Sequence, residues 1–243
     1  MTKFHLNDTV GTIVCDRPFL SHLFETVKVD YCCGGKKTLE EACQTVGINP
    51  QEFLLQLEDY ATKETIADVN YSALSLTELI DHIERIHHAY VHNEIPRLET
   101  MVIKVAKVHG DQEPRLNQLK NLFLVLSSDL KNHLFKEEQI LFPMIRQLEA
   151  SNSLPVFHCG TVSNPIHQME FEHDLAGTIL PQLRQLTDDY TPPAWACNTY
   201  RALLDGLFTF EQDLHQHIHK ENNILFPRAT NLESKKKQEL NNI

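Results

Sequence analysis

Glycine is scarce, at 8 residues in 243. It is the residue that supplies tight turns and left-handed backbone, and so low a content suits an all-helical protein. No run of eighteen apolar residues occurs, so no membrane span is expected. The first residues, MTKFHLNDTVGTIVCDRPF, lack the charged start, the continuous apolar stretch and the small-residue cleavage site of a secretory signal. A cytoplasmic protein is expected. Basic residues are in the minority, 22 against 33 acidic, for a net charge of −11. Nucleic acid is a poor partner for that balance, because its affinity comes mainly from phosphate neutralisation. The one dense basic run, Lys235 to Lys237, reads as a solvated tail. Six cysteines (Cys15, Cys32, Cys33, Cys43, Cys159, Cys197) do not make a secreted disulfide framework in a chain this long. No glycine motif for a flavin or nicotinamide cofactor is present.

What the chain does have is histidine, 14 residues of it, and a repeat. HLFKEEQILFP runs from His133 to Pro143 and HIHKENNILFP from His217 to Pro227. Both follow the pattern H-x-x-x-E-x-x-I-L-F-P, 84 positions apart. On a helix, four residues turn about 400°, so each histidine and its glutamate leave from nearly the same face. A second pair repeats at almost the same period: His88 and His173, 85 apart, each have proline eight residues on, Pro96 and Pro181. The chain therefore reads as a duplicated two-helix unit. Two helical hairpins make a four-helix bundle, which builds metal sites from inward side chains on facing helices.

Six candidate ligands follow from the duplication: His88, His133, Glu137, His173, His217 and Glu221. Neutral imidazoles leave the metal charge intact, and two carboxylates can bridge two metals. Mixed nitrogen and oxygen ligation suits iron or manganese, and a set without cysteine argues against structural zinc. On the first long helix His82, His87, His88 and His92 compete; only His88 has proline at +8, so His92 is expected to support it or face solvent, and His82 and His87 to be exposed or structural. His215 and His219 lie two positions either side of His217 and should point away from it. Glu138, Glu170 and Glu172 are near the site in sequence, with surface solvation the expected role.

The pattern predicts a small helical domain over residues 1–65 and a bundle over 72–232, joined by a polar linker, 62–72. Thr38 with Glu41, and Ser75 with Glu78, have capping-box spacing. Pro50 should open a helix with Phe53, Leu54 and Leu57 on its apolar stripe. Helices are expected from 75 to 108 with a kink at Pro96, from 114 to 149, and from 166 to 187. Thr191-Pro192-Pro193 should open the last one. Pro143 and Pro227 should kink or end theirs. Gly34-Gly35 marks a turn beside Cys32 and Cys33. These two cysteines are either small turn residues or exposed thiolates, stabilised by backbone N–H groups and by Lys36-Lys37, that accept iron, nitrosyl or electrons, or contact the client.

DYCCGG (Asp30–Gly35), HLFKEEQILFPMI (His133–Ile145), EFEHDLAG around His173, TPP at 191–193 and ENNILFPRA (Glu221–Ala229) together resemble the repair-of-iron-centres family of bacterial di-iron proteins, the YtfE/ScdA type. The resemblance covers almost the whole chain. It implies an all-α, hemerythrin-like four-helix bundle with a small N-terminal cysteine-containing domain. It implies two non-haem iron ions in an oxo-bridged centre, with His88, His133, His173 and His217 as terminal ligands and Glu137 and Glu221 as bridges. The implied role is repair of iron–sulfur cluster proteins damaged by nitrosative or oxidative stress, by donation of labile iron. The alternative is a nitric oxide-reducing or gas-binding hemerythrin-like protein, which in the reducing case needs an electron donor. The loop containing Phe157-His158-Cys159-Gly160 and the tail after Arg228 are longer than the family pattern.

Overall fold

The computed structural model describes residues 3–63 and 69–241. No strand occurs among them, as the low glycine content predicts; two isolated bridges, Thr9 with Thr38 and Phe157 with Gly160, are the only extended pairings. The stretch 62–72, read as a linker, includes residues 64–68, which lie outside the described residues. The chain divides into two compact units. The first comprises Met1–Ile80, Ile145–Val156 and His215–Ile243; the second comprises Asp81–Met144 and Phe157–Leu214.

In the first unit, α1 (Val10–Asp16) is capped by the Thr9 side chain, which accepts from the Thr12 amide. Pro18 opens a 3-10 turn, Pro18–Leu20, that leads into α2 (Ser21–Thr26). The capping box at Thr38 and Glu41 forms and starts α3 (Leu39–Val46). A cap of this kind stabilises a helix by about 1 kcal/mol. Gly47, at φ +76°, then turns the chain into α4 (Pro50–Lys63), whose first turn is held by the Asn49 side chain accepting from the Gln51 amide. Val10, Ile13, Leu20, Phe24, Leu39, Phe53 and Leu57 are all buried in one apolar core. Leu54 is only partly buried against it. Ser75 and Glu78 form the second capping box, at the head of α5 (Leu76–Ile83). The Glu149 carboxylate adds a second cap there, accepting from the amides of Leu76 (2.7 Å) and Thr77 (2.8 Å).

The second unit is built on long helices: α6 (Ala89–His109), α7 (Arg115–Lys136), α9 (Ser163–Leu186) and α10 (Asn198–Lys220). In chain order α8 (Phe142–Ala150) comes between α7 and α9, and its residues from Ile145 onward belong to the first unit. One core gathers side chains from all four long helices, Leu98, Leu119, Phe123, Leu126, Leu180, Leu203 and Phe210 among them. Each such fully buried side chain stabilises the fold by about 1.5–3 kcal/mol relative to exposure. α6 continues through Pro96 and α9 through Pro181.

Two expectations about helix ends are corrected. α10 begins at Asn198, not at Thr191-Pro192-Pro193, which lie in a non-helical lead. Pro143 and Pro227 do not end their helices. Each stands second in a helix, α8 (Phe142–Ala150) and α11 (Phe226–Asn241), that follows a wide turn of π-helix, Glu137–Leu141 and Glu221–Leu225. In these turns Phe142 N–H donates to the Glu137 carbonyl and Phe226 N–H to the Glu221 carbonyl, five residues back. The extra residue resets the hydrogen-bond register just before the proline that cannot donate. A third wide turn, Glu84–His88, precedes α6.

Candidate metal centre

Every candidate ligand in the repeat copies is placed by a helix turn. His133 and Glu137 are one turn apart, and Glu137 opens its wide turn; His217 and Glu221 do the same. His88 closes the wide turn Glu84–His88. Wide turns of this kind are uncommon and concentrate at functional sites.

In the second unit, four of the candidates converge. His88 is 1 % exposed, His133 4 %, Glu137 0 % and His173 2 %. Glu137 Oε2 lies 3.4 Å from His88 Nε2 and 3.4 Å from His133 Nε2. His133 Nε2 lies 3.0 Å from His173 Nε2. The ligand atoms of His133, Glu137 and His173 are all within 4.8 Å of one another, a group able to hold a metal ion. Both carboxylate oxygens of Glu137 are buried without a hydrogen-bond partner. A buried carboxylate in that state is costly and calls for a cation. In the first unit, His217 Nε2 and Glu221 Oε1 are 3.0 Å apart and equally buried.

Two carboxylates orient the imidazoles from behind. His133 Nδ1 is 3.0 Å from Glu172 Oε2, and His88 Nδ1 is 2.9 Å from Glu138 Oε1. A carboxylate accepts, so each Nδ1 carries the proton and each Nε2 turns its lone pair toward Glu137. The hydrogen bond to His133, with those from Lys136 and Gln168, holds the Glu172 carboxyl down to about 2. At Glu138 burial pushes upward, but hydrogen bonds from His92 and His88 outweigh it and keep the carboxyl below its usual range. Glu138 and Glu172 are thus not surface residues without a role. Sequence spacing missed them because each reaches a histidine on a different helix; the signal available was a glutamate immediately beside a ligand.

The rival histidines go elsewhere. His92 is half exposed and shares Glu138 Oε1 at 3.0 Å. His87 is buried, not exposed, with Nδ1 2.8 Å from Asp213 Oδ1. The wide turn explains how two consecutive residues, His87 and His88, are both buried on one helix. His215 pairs with Glu25, and His219 Nδ1 with the Tyr31 carbonyl oxygen, so both turn from His217 as expected.

At Cys32 the turn fits the first of its two expected readings, a small turn residue, and not an exposed thiolate. Cys32 is buried rather than exposed. The backbone N–H groups of the turn do not face a thiolate: the Asp30 carboxylate takes those of Cys32 (2.9 Å) and Gly34 (2.8 Å). Cys32 Sγ donates to the same carboxylate at 3.2 Å. Its hydrogen bond to Cys33, then burial, then Asp30, raise the Cys32 thiol well above the usual range, so it stays protonated. Cys33 is half-buried, and none of the six cysteines is joined in a disulfide.

No helix among the described residues is long and apolar enough to cross a membrane. The hemerythrin HHE cation-binding domain model matches residues 79–229, which contain all six candidate ligands. A domain of unknown function, DUF542, matches residues 6–61 around the cysteine turn. An iron–sulfur cluster repair protein YtfE from Enterobacter sp. (strain 638) is 38 % identical over 220 residues, 90 % of this chain and 95 % of that protein. The protein of the same name from Yersinia pseudotuberculosis serotype O:1b (strain IP 31758) is 38 % identical over 223 residues, 92 % and 96 % of the two chains. Yersinia pestis (strain Pestoides F) supplies another at the same identity and coverage. An all-α bundle with a buried histidine–carboxylate group, a small cysteine-bearing module before it and end-to-end similarity to these relatives place the chain in the hemerythrin-like family of iron–sulfur cluster repair proteins of the YtfE type.

Proposed function

We propose that this chain repairs damaged iron–sulfur clusters by donating iron from a centre of two ions held by His88, His133, Glu137, His173, His217 and Glu221. The observation that carries it is Glu137: a fully buried carboxylate with no hydrogen-bond partner, between two imidazole nitrogens each 3.4 Å away. The repeat supports extending the site to His217 and Glu221, which have the same spacing and the same wide turn. Nitrogen and carboxylate donors without thiolate fit iron, and a site with few carboxylates holds it loosely enough to release. Bound there, the irons supply what a damaged cluster has lost. The chain's own part is to keep imidazole lone pairs aimed inward through Glu138 and Glu172, and to exclude water around Glu137. Cys33, the more accessible thiol of its pair, is where the N-terminal module meets iron or a client.

The test is iron content followed by transfer. Purified protein should carry about two irons per chain, on the reading of paired carboxylate–histidine sites in such bundles. It should restore activity to a nitric oxide-damaged [4Fe–4S] enzyme while losing iron in step. Repeated nitrous oxide formation with a supplied reductant, no iron loss and no cluster recovery would replace this reading with nitric oxide reduction.

A further inference from the structure

Asn223 has no part in the ligand set, yet three parts of the chain close on it. It lies two residues after Glu221, inside the same wide turn. Its Nδ2 donates to the Cys32 carbonyl oxygen at 3.0 Å and reaches the Tyr31 carbonyl oxygen at 3.4 Å. Its own backbone carbonyl accepts from Cys15 Sγ at 3.8 Å. One helical turn earlier, His219 Nδ1 stands 3.1 Å from the Tyr31 carbonyl. The same Nδ1 lies 3.2 Å from the Asn223 amide nitrogen.

The N-terminal module is shaped to receive this side chain. Gly11 N donates to the Gly35 carbonyl at 2.9 Å, and the two glycines wall the Asn223 amide. A Cβ on Gly11 would stand 2.5 Å from Asn223 Oδ1 and 2.8 Å from the Gly35 carbonyl oxygen. A Cβ on Gly35 would stand 2.8 Å from the Asn223 amide nitrogen. Neither glycine has positive φ, so close approach, not backbone conformation, is what requires them.

We infer that Asn223 is a positioning residue that couples the Cys32–Cys33 turn to the carboxylate arm at Glu221, so that metal occupancy and thiol accessibility report on each other. Glu221 and Asn223 belong to one five-residue turn, and holding the Glu221 carboxylate holds the turn. The turn presents the Asn223 amide, and the amide holds the carbonyl of Cys32, one peptide bond from Cys33. Coupling of this kind is reciprocal: what metal does to the thiol turn, a change at the turn does to the metal. The inference rests on the metal-centre reading above.

The experiment uses the full chain, iron-loaded and metal-free, treated with iodoacetamide. Alkylation of Cys33 is followed by peptide mass spectrometry, with exposed Cys159 and Cys197 as internal references. In the wild type, iron should change the Cys33 rate by at least about fivefold, the lower end of common coupling strengths. Asn223→Asp keeps the shape and loses the donor. Gly11→Ala pushes on the same amide from the other side, although alanine in a helix is otherwise favourable. Each should bring the ratio to one while iron content stays at the wild-type level. A purely structural role would lower melting temperatures and leave the ratio unchanged, which overturns the inference. A ratio of one in the wild type, with iron bound, overturns it as well and leaves the metal centre standing. Absence of bound iron in the wild type removes both. If one variant fails to fold by circular dichroism, the other decides; if both fail, the wild-type ratio does.

Discussion

The two copies of the eleven-residue repeat share a pattern and differ in their surroundings. His133 and His217, Glu137 and Glu221, Leu141 and Leu225, Phe142 and Phe226 are buried in both. Leu134 and Ile218 are buried as well, but several other positions part company even where the residue is the same. Ile140 is 47 % exposed, whereas Ile224 is 3 % exposed. Lys136 reaches out to Glu172 at 2.5 Å, whereas Lys220 is buried with its ammonium 4.9 Å from the centre of the Tyr71 ring. Phe135 faces solvent at 63 %, and its counterpart His219 is buried on the Tyr31 carbonyl. The buried histidine–glutamate face is thus common to both copies of the repeat. The outer face is more exposed in one copy, and in the other it is buried, with His219 on the Tyr31 carbonyl of the cysteine-bearing module.

The largest expected effect lies on the common face, where the copies should behave alike. Glu137→Leu and Glu221→Leu should each lose a metal equivalent, read by iron analysis of the purified protein. Glu137→Leu should also make the metal-free protein more stable, by about 1–4 kcal/mol in urea unfolding, because a buried unpaired carboxylate gives way to a packed apolar side chain. Full iron content in either variant would break the symmetry of the two copies. Lower stability of metal-free Glu137→Leu would mean that its carboxylate is satisfied without a cation.

On the outer face the copies should diverge. Ile224→Asp removes a buried apolar side chain and introduces a charge into the first unit's interior, which should cost at least about 3 kcal/mol. Ile140→Asp, at a half-exposed position, should stay within about 0.5 kcal/mol of wild type. Equal losses in thermal or urea unfolding would show that both outer faces are covered, and the comparison would fail.

The orienting carboxylates give a smaller, sharper test. Glu172→Gln and Glu138→Gln keep the shape and weaken the hydrogen bond to the ligand histidine. Metal affinity should fall by about 10–100-fold, measured by chelator competition. The sign with pH follows from the depressed Glu172 carboxyl. Its contribution is complete above the ordinary value of 4.5 and is lost as pH falls through about 2. Glu172→Gln should lack that acid limb, and an unchanged acid profile would remove Glu172 from its orienting role.

Much of this was legible in the sequence. The period of 84 brought out two histidine–glutamate pairs, all four residues of which are buried, and proline at +8 singled out His88, which is buried 3.4 Å from Glu137, whereas His92 is half exposed. Both capping boxes lie where their Thr/Ser-x-x-Glu spacing puts them. Spacing along one helix cannot name a partner on another, so Glu138 and Glu172 were hidden. Nor does residue type announce a wide turn, whose extra residue changes which side chains share a face. Pro143 and Pro227 therefore looked like helix breakers when the preceding turn had already accommodated them. The exposed-thiolate alternative for Cys32 gives way to the turn-residue one for a related reason: Asp30, which accepts from the Cys32 and Gly34 N–H groups, is two residues earlier, and only the folded turn brings them together.

His92 supplies the smallest effect and separates support from ligation. It is half exposed, and its Nε2 stands 3.0 Å from Glu138 Oε1, which His88 also holds. In the second copy Asn222 occupies the place of Glu138 and is buried. His92→Ala should therefore keep the full iron content, whereas His88→Ala should lose a metal equivalent. The trace left by His92 should be in the pH profile. It is first among the hydrogen-bond partners that lower the Glu138 carboxyl, so removing it lets that carboxyl rise toward its ordinary value. The stabilising charge on Glu138 is present above its folded-state value and lost below it. As acid is added, His92→Ala should thus begin to release iron at a higher pH than wild type while matching it at neutral pH. Iron loss at neutral pH in His92→Ala, with none in His88→Ala, would reverse the assignment on this helix.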